Sequence, residues 1–381
     1  MPKRTPTNKA VLAAHKAIKG KIETKGRARL KTKEDFSTFY TPGVGSISEH
    51  LAKCPQDART LSMKGNSVAV ISDGSAVLGL GNIGPYGALP VMEGKALIFR
   101  ELAGIDAWPI VLNTQDPQKI VEAVCAIAPG FGGINLEDIK APECFEVEQR
   151  LIKALDIPVM HDDQHGTAIV VLAGLINAAK VVRKPLKKMR VAIAGAGAAG
   201  VAVAKLLLAS GITDIVLVDR TGVIERRRKG LNPSKKEIAQ VTNPRGVTGG
   251  MREALSGADV FVGVSGPNLL TAEDIRTMST KPIVFALSNP VPEILPEEAK
   301  KGGAAVIATG RSDYPNQVNN ALVFPGIFRG ALDKGVKEIT EASKLRAAKA
   351  LAAFVEKPSS TKIIPDILDV RVVPSVAKAV R

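Results

Sequence analysis

Val191-Ala-Ile-Ala-Gly195-Ala196-Gly197-Ala198-Ala199-Gly200 is the segment on which the fold turns. It closes a short apolar run, Arg190–Ala194, that reads as a strand. A helix-forming run, Val201-Ala-Val-Ala-Lys-Leu-Leu-Leu-Ala, follows at once. Nineteen residues beyond Gly200, a second apolar run from Asp214 ends in Asp219. Strand, glycine turn, helix, strand and terminal acid form a dinucleotide-binding fingerprint. Gly195 permits the tight turn, Gly197 lets a pyrophosphate approach the backbone, and Gly200 lets the helix pack close to the sheet. Ala196, Ala198 and Ala199 complete a turn whose helix N-terminus offers free N–H groups to phosphate. The alternative is a glycine turn in an ordinary βαβ unit.

Working outward, 381 residues suffice for about two domains with real cores. With only 4% aromatic residues, those cores must be built from Ala, Val, Ile and Leu, as in parallel sheets. Cys54, Cys125 and Cys144 are too few and too scattered for a disulfide framework, which predicts a reducing, cytoplasmic setting. The longest apolar run, Ala168–Ile176, is too short for a membrane span, so no membrane partner is expected. The net charge is +15, and residues 1–33 carry eleven Lys or Arg against one acid, Glu23. Polyanion attraction and a plain basic surface both fit. No aromatic residues interleave with the basic ones, so no nucleic-acid partner is expected.

Residues 9–22 read as an amphipathic helix, and Tyr40-Thr-Pro-Gly-Val-Gly as a turn. Val68–Ile71 reads as a buried strand running into a glycine-rich loop, Asp73–Gly87, with a helix over Val91–Arg100. Strands are predicted at Pro109–Leu112, Gly133–Leu136, Pro158–Met160, Val260–Val264, Ile283–Ala286 and Ala305–Ala308. Helices are predicted at Pro117–Ala128, Glu143–Leu155, Gly166–Val181 and in the tail, with Arg226–Lys229 as a surface loop. This alternation predicts an α/β fold of two domains with parallel sheets.

Ligands of such sheets gather at the carboxyl ends of strands. Two of these ends are acidic: Leu136-Glu137-Asp138 and His161-Asp162-Asp163-Gln164-His165. Clustered carboxylates repel unless a cation lies between them, and an all-oxygen set suits Mg²⁺ or Mn²⁺. Helix N-capping by Asp138 and Asp163 is the alternative. His161 and His165 read as structural or supporting groups rather than zinc ligands. Lys95 is either a solvated charge or, if buried near a metal, a base of lowered pKa. The Tyr40 phenol is either a proton donor or a packing group.

The chain resembles the small bacterial and archaeal malic enzymes over almost its full length. The resemblance rests on Tyr40-Thr-Pro-Gly-Val, Gly79-Leu-Gly-Asn-Ile-Gly-Pro, Leu89-Pro-Val-Met-Glu-Gly-Lys-Ala and Asn135-Leu-Glu-Asp-Ile. It continues through His161-Asp-Asp-Gln-His-Gly-Thr-Ala, Phe285-Ala-Leu-Ser-Asn-Pro and Asn319-Asn320-Ala-Leu-Val-Phe-Pro-Gly. It implies an N-terminal α/β malic-enzyme domain over 1–160 and a Rossmann-type NAD(P)-binding domain with a helical tail over 161–381. It further implies oxidative decarboxylation of L-malate to pyruvate and CO₂ with reduction of NAD or NADP. Glu137, Asp138 and Asp163 would hold the Mn²⁺ or Mg²⁺, Lys95 would be the base and Tyr40 the acid. Asn289 and Asn320 would bind substrate or lie beside the nicotinamide, and Asp162 would pair with Lys95. A homodimer or higher homo-oligomer is implied.

Two points depart from the larger relatives. Ser72-Asp-Gly-Ser-Ala-Val lacks the arginine that clamps a substrate carboxylate in the eukaryotic-type enzymes, and with the sequence read to Arg381 no phosphotransacetylase-like region is expected. Asp219 favours NAD, while Arg220 and Arg226–Arg228 would suit the 2′-phosphate of NADP. A malolactic enzyme, a metal-independent dehydrogenase of the amino-acid type, and a basic nucleotide- or polyanion-binding protein without chemistry are the competing readings.

Overall fold

The computed structural model describes residues 8–381; Lys3 and Arg4 of the basic arm lie outside the described residues. Among the described residues, ten strands form two sheets. β1 (Ser67–Ser72), β2 (Asp106–Val111), β3 (Gly133–Leu136) and β4 (Val159–His161) make a parallel sheet in the order β2-β1-β3-β4. β5 (Arg190–Ala194), β6 (Asp214–Asp219), β7 (Gly222–Val223), β8 (Val260–Gly263), β9 (Ile283–Ala286) and β10 (Val306–Thr309) make the second, in the order β10-β9-β8-β5-β6-β7. Only the two-residue β7 runs antiparallel.

Strand alternation decides how the layers stack. Val68 and Val70 of β1 enter one core, while Ala69 and Ile71 enter another beneath the helices Pro117–Ile127 and Glu143–Ala154. The first of these cores is continuous with that of the second sheet. Helix Asp162–Val182 joins them, with Ile169, Val171 and Leu175 buried against Val191, Ile193 and Phe285. This helix is long and apolar enough to cross a membrane, yet most of it lies inside the protein. Phe99 meets Phe324 and Phe328 edge to face, at centroid distances of 4.8 and 5.5 Å.

Both sheets reverse strand order, and each reversal opens a crevice at carboxyl ends. In the first sheet the reversal lies at β1 beside β3; in the second it lies at β5 beside β8. Several helices exceed the sequence expectation. The 91–100 segment belongs to Gly84–Ala103, which continues through Pro90, and the 166–181 segment begins directly after β4 at Asp162. The 9–22 helix stops at Ile18. The helices Asn8–Ile18, Lys33–Phe39 and Val44–Lys53 bury none of their residues.

Candidate active site

The acidic strand ends converge at the first crevice. Glu137 and Asp138 leave β3, and Asp163 lies in the first turn of Asp162–Val182. Each offers a carboxylate oxygen within 4.8 Å of the other two. The N-capping alternative does not hold: the caps of the adjoining helices are Pro142 and His161, neither with a side-chain cap bond. Asp163 instead accepts the Asp138 backbone N–H at 2.8 Å, bracing the two strand ends together.

Lys95, on Gly84–Ala103, is buried rather than solvated. Its ammonium is ion-paired with Asp162, lies 3.0 Å from Glu137 Oε1 and sits 4.2 Å from the centre of the Phe324 ring. Burial alone would lower its pKa. Asp162, Glu137 and Asp163 more than reverse this and hold it above the ordinary lysine value. It is therefore a charged group in this structure, contrary to the lowered pKa that burial suggests. Burial raises Glu137 well above the usual carboxylate range, against the pull of Lys95. Asp138 is pushed up to about 8, by burial first and by Asp163 second.

One Asp138 oxygen, Oδ2, is buried without a hydrogen-bond partner. Such a group is costly unless something binds it. An orphaned carboxylate oxygen in an all-oxygen cluster fits a hard dication, so Glu137, Asp138 and Asp163 could hold Mg²⁺ or Mn²⁺.

These residues line a cavity of about 500 Å³ that also reaches the second crevice. Its far wall includes Ala199 of the glycine turn, Val264 after β8, and Ser288 and Asn289 after β9. Asn320 closes one side, at the start of a 3-10 turn, Asn320–Leu322. The structure thus brings Lys95, Glu137, Asp138, Asp163, Asn289 and Asn320 together with the fingerprint.

Gly195 sits at φ +107°, and a Cβ there would meet Val264 O at 2.6 Å. Gly197 is extended, and Ala198 opens the helix Ala198–Ala209; Ala196 is buried beside the turn. Asp219 ends β6 as expected, but its carboxylate is already engaged. It accepts from Thr221 N–H, Arg228 at 2.7 Å and Lys235 at 2.6 Å. Burial would raise its pKa, yet these donors hold it below the usual range. Arg228 is therefore not part of a plain surface loop.

Tyr40 is not brought in. It caps Lys33–Phe39, stacks edge-on against Phe36 at 5.3 Å, is 59% exposed and is absent from the cavity wall. Sequence reasoning missed Glu148, which lies among buried Cys144, Val147 and Leu151 on Glu143–Ala154 and contacts the 161–165 segment. An acid falling on an apolar helical stripe was the available signal.

Hydride chemistry needs a nicotinamide and a reacting carbon in one sheltered cavity, and here the two crevices share one. The chain is by this measure an α/β oxidoreductase of the dinucleotide-binding class. It belongs to the malic enzyme family. Residues 19–152 match the family's N-terminal domain, and residues 164–381 match its NAD-binding domain. The chain is 55% identical to an NAD-dependent malic enzyme of Geobacillus stearothermophilus, over 95% of this chain and 76% of that protein. It is 51% identical to a bifunctional malic/malolactic enzyme of Bacillus subtilis, over 97% of this chain and 91% of that protein. The crystal structure of an NAD-dependent malic enzyme from Thermotoga maritima superposes with a TM-score of 0.94 at 49% identity, covering 97% of this chain and 98% of that one.

Proposed function

We propose that the chain oxidatively decarboxylates L-malate to pyruvate and CO₂ while reducing NAD or NADP. The carrying observation is the single cavity walled by the glycine turn on one side and by Lys95 with the carboxylate trio on the other. A dication held by Glu137, Asp138 and Asp163 would neutralise charge at the malate C2 oxygen and on the enolate left by decarboxylation, with the nicotinamide supplying the hydride acceptor. With the carboxylates that hold Lys95 charged offset by a dication in the trio, the Lys95 ammonium would pass one proton to Asp162, with which it is paired, and the amine so freed takes the C2 hydroxyl proton. The Asn289 and Asn320 carboxamides supply neutral donors to the substrate carboxylates or the nicotinamide amide. The backbone of Gly195–Gly200 receives the pyrophosphate. We divide the chain into a catalytic half, 1–160, and a nucleotide half, 161–381, a boundary one residue short of the end of β4 and of the start of the helix Asp162–Val182.

Tyr40 protonates C3 in this scheme. It lies on an N-terminal segment that exposes Phe36, Phe39, Val44 and Ile47. We assign that apolar face to a second copy of the chain, whose cavity Tyr40 would complete. Mixing Lys95→Ala and Tyr40→Phe proteins tests this. Heterodimers would regain one intact site, returning about a quarter of the parent activity. No regain after subunit exchange would refute the arrangement. The free cysteines suit a cytoplasmic setting.

The activity itself is tested by incubating the protein with L-malate and Mn²⁺, offering NAD and NADP separately, and following absorbance of the reduced cofactor. The Bacillus subtilis relative favours one second reading, a malolactic outcome. Lactate formed without net accumulation of reduced cofactor would select it.

A further inference from the structure

Glu148 is a buried carboxylate that the chemistry above does not use. Its Oε1 accepts the backbone N–H of His161 at 2.7 Å. Its Oε2 accepts from His165 Nε2 at 2.9 Å and from Gln164 Nε2 at 3.2 Å. One side chain thus grips both ends of the segment that carries Asp162 and Asp163. On its far side His165 Nδ1 lies 3.0 Å from Lys344 Nζ, on helix Glu341–Ala353 of the nucleotide-binding half.

The donors in this chain leave one arrangement. An ammonium only donates, so His165 Nδ1 must be the bare nitrogen. A carboxylate only accepts, so His165 Nε2 must carry the hydrogen. Lys344 therefore sets the tautomer that Glu148 needs, without any gain or loss of a proton.

We propose that Glu148 is the positioning residue of the metal-binding segment, aiming Asp163 at the cavity through His161 and His165, with Lys344 fixing the direction of the His165 hydrogen bond. This rests on the reading that Asp163 binds the dication. The positioning acts on ligand geometry and does not touch substrate or cofactor.

The test is Glu148→Gln. The introduced carboxamide keeps the size but sets an N–H₂ against the His165 N–H or withdraws an acceptor from His161. His165 cannot switch tautomer to relieve this while Lys344 donates to Nδ1. Mn²⁺ affinity, read from the EPR signal of free Mn²⁺, is expected to weaken about 10- to 100-fold. Adding Lys344→Met frees His165 to switch tautomer and to accept from the carboxamide. The double variant is expected to regain Mn²⁺ affinity to within about threefold of Lys344→Met alone. A role in packing alone predicts no such rescue.

Unchanged affinity in Glu148→Gln overturns the proposal, and so does weakening that Lys344→Met fails to restore. If Glu148→Gln does not fold, the double variant decides: folding with Mn²⁺ bound supports the tautomer conflict, and failure overturns it. A parent protein that binds no Mn²⁺ refutes the metal reading itself and the clamp with it. A parent that binds, with unchanged variants, refutes the clamp alone.

Discussion

Gly197 and Gly200 of the fingerprint do different work, and adding one methyl group to each separates their roles. At Gly200 a Cβ would lie 1.8 Å from Gly195 O and 2.9 Å from Gly195 C. Those are backbone atoms of the turn, so the helix must move off the sheet. Overpacking of this kind costs about 1–3 kcal/mol or more, and Gly200→Ala should melt lower than the parent in the absence of cofactor. At Gly197 the situation is opposite. No atom lies within 4 Å of the added Cβ, and the backbone, at φ −92° and ψ −158°, suits alanine. Gly197→Ala should fold at least as well, with a gain of about 0.4–1 kcal/mol from a less flexible unfolded chain. That open space is where the pyrophosphate is read to approach. A methyl group intruding by about 1–3 kcal/mol weakens binding by roughly 5- to 150-fold. Thermal melting without cofactor, followed by fluorescence titration with NADH and NADPH, measures both effects. A Gly197→Ala protein with parent affinity for both cofactors would refute the placement of the pyrophosphate. A Gly200→Ala protein that melts like the parent would refute the close-packing argument.

Asp163→Asn should abolish the upward shift in melting temperature that Mn²⁺ gives the parent. In EDTA the same variant should melt no lower than the parent, because it removes a charge from a crowded trio; a lower value would count against mutual repulsion. Lys95→Ala should abolish malate oxidation and also destabilise the chain by about 3–5 kcal/mol, since Glu137 and Asp162 lose their buried partner. Unchanged unfolding in urea would contradict that ion-pair accounting. Asp219→Ser should release Arg228 and Lys235 toward a 2′-phosphate and shift kcat/KM toward NADP by tenfold or more, a ratio that steady-state assays with both cofactors report. Burial alone would raise the Glu148 pKa, but His165 and Lys344 hold it down at about 2. Its folded pKa lies below the ordinary 4.5, so its contribution to stability is present above 4.5 and is lost as pH falls toward 2. Glu148→Gln should flatten that part of the acid denaturation curve.

Much of this was legible because it is local. The strand at Arg190–Ala194, the glycine turn and the acid closing β6 all depend on neighbours within a few residues, and periodicity exposes them. The acidic strand ends were legible for the same reason. What escaped depends on distance in the chain. Asp162 and Lys95 are 67 residues apart, and Lys344 lies 179 residues beyond His165. A lysine buried near a metal reads as a base of lowered pKa when its carboxylate partners lie far away in the chain. The field that reverses it comes from three carboxylates on other elements. The resemblance implies a catalytic role for Tyr40, and nothing in its sequence neighbours reveals that it is exposed and absent from the wall of the cavity. Asp219 read as a free ribose acceptor because Lys235, 16 residues on, could not be seen to occupy it.

The same long-range crowding explains why the carboxylate trio is better read as a binding site than as a scaffold. Asp162 and Glu137 share one lysine, while Asp138 and Asp163 have no ammonium of their own within ion-pair distance among the described residues. Two unit charges 4.8 Å apart would repel by roughly 3.5 kcal/mol at an effective dielectric of about 20, a cost that adds to burial in pushing Asp138 up to about 8. Solvent reaching Asp163, whose side chain is 33% exposed, lessens that figure without removing it. A fold selected for stability alone would replace one of these acids with an amide, keeping the bond to the Asp138 N–H. The chain instead keeps three acids crowded together at the cost of a raised Asp138 pKa, leaves Asp138 Oδ2 without a partner, and braces the cluster from behind with Glu148. The crowding and the orphaned oxygen both raise the energy of the empty cluster, and one small dication would relieve both, so the strain itself is the strongest physical argument for what the cavity binds.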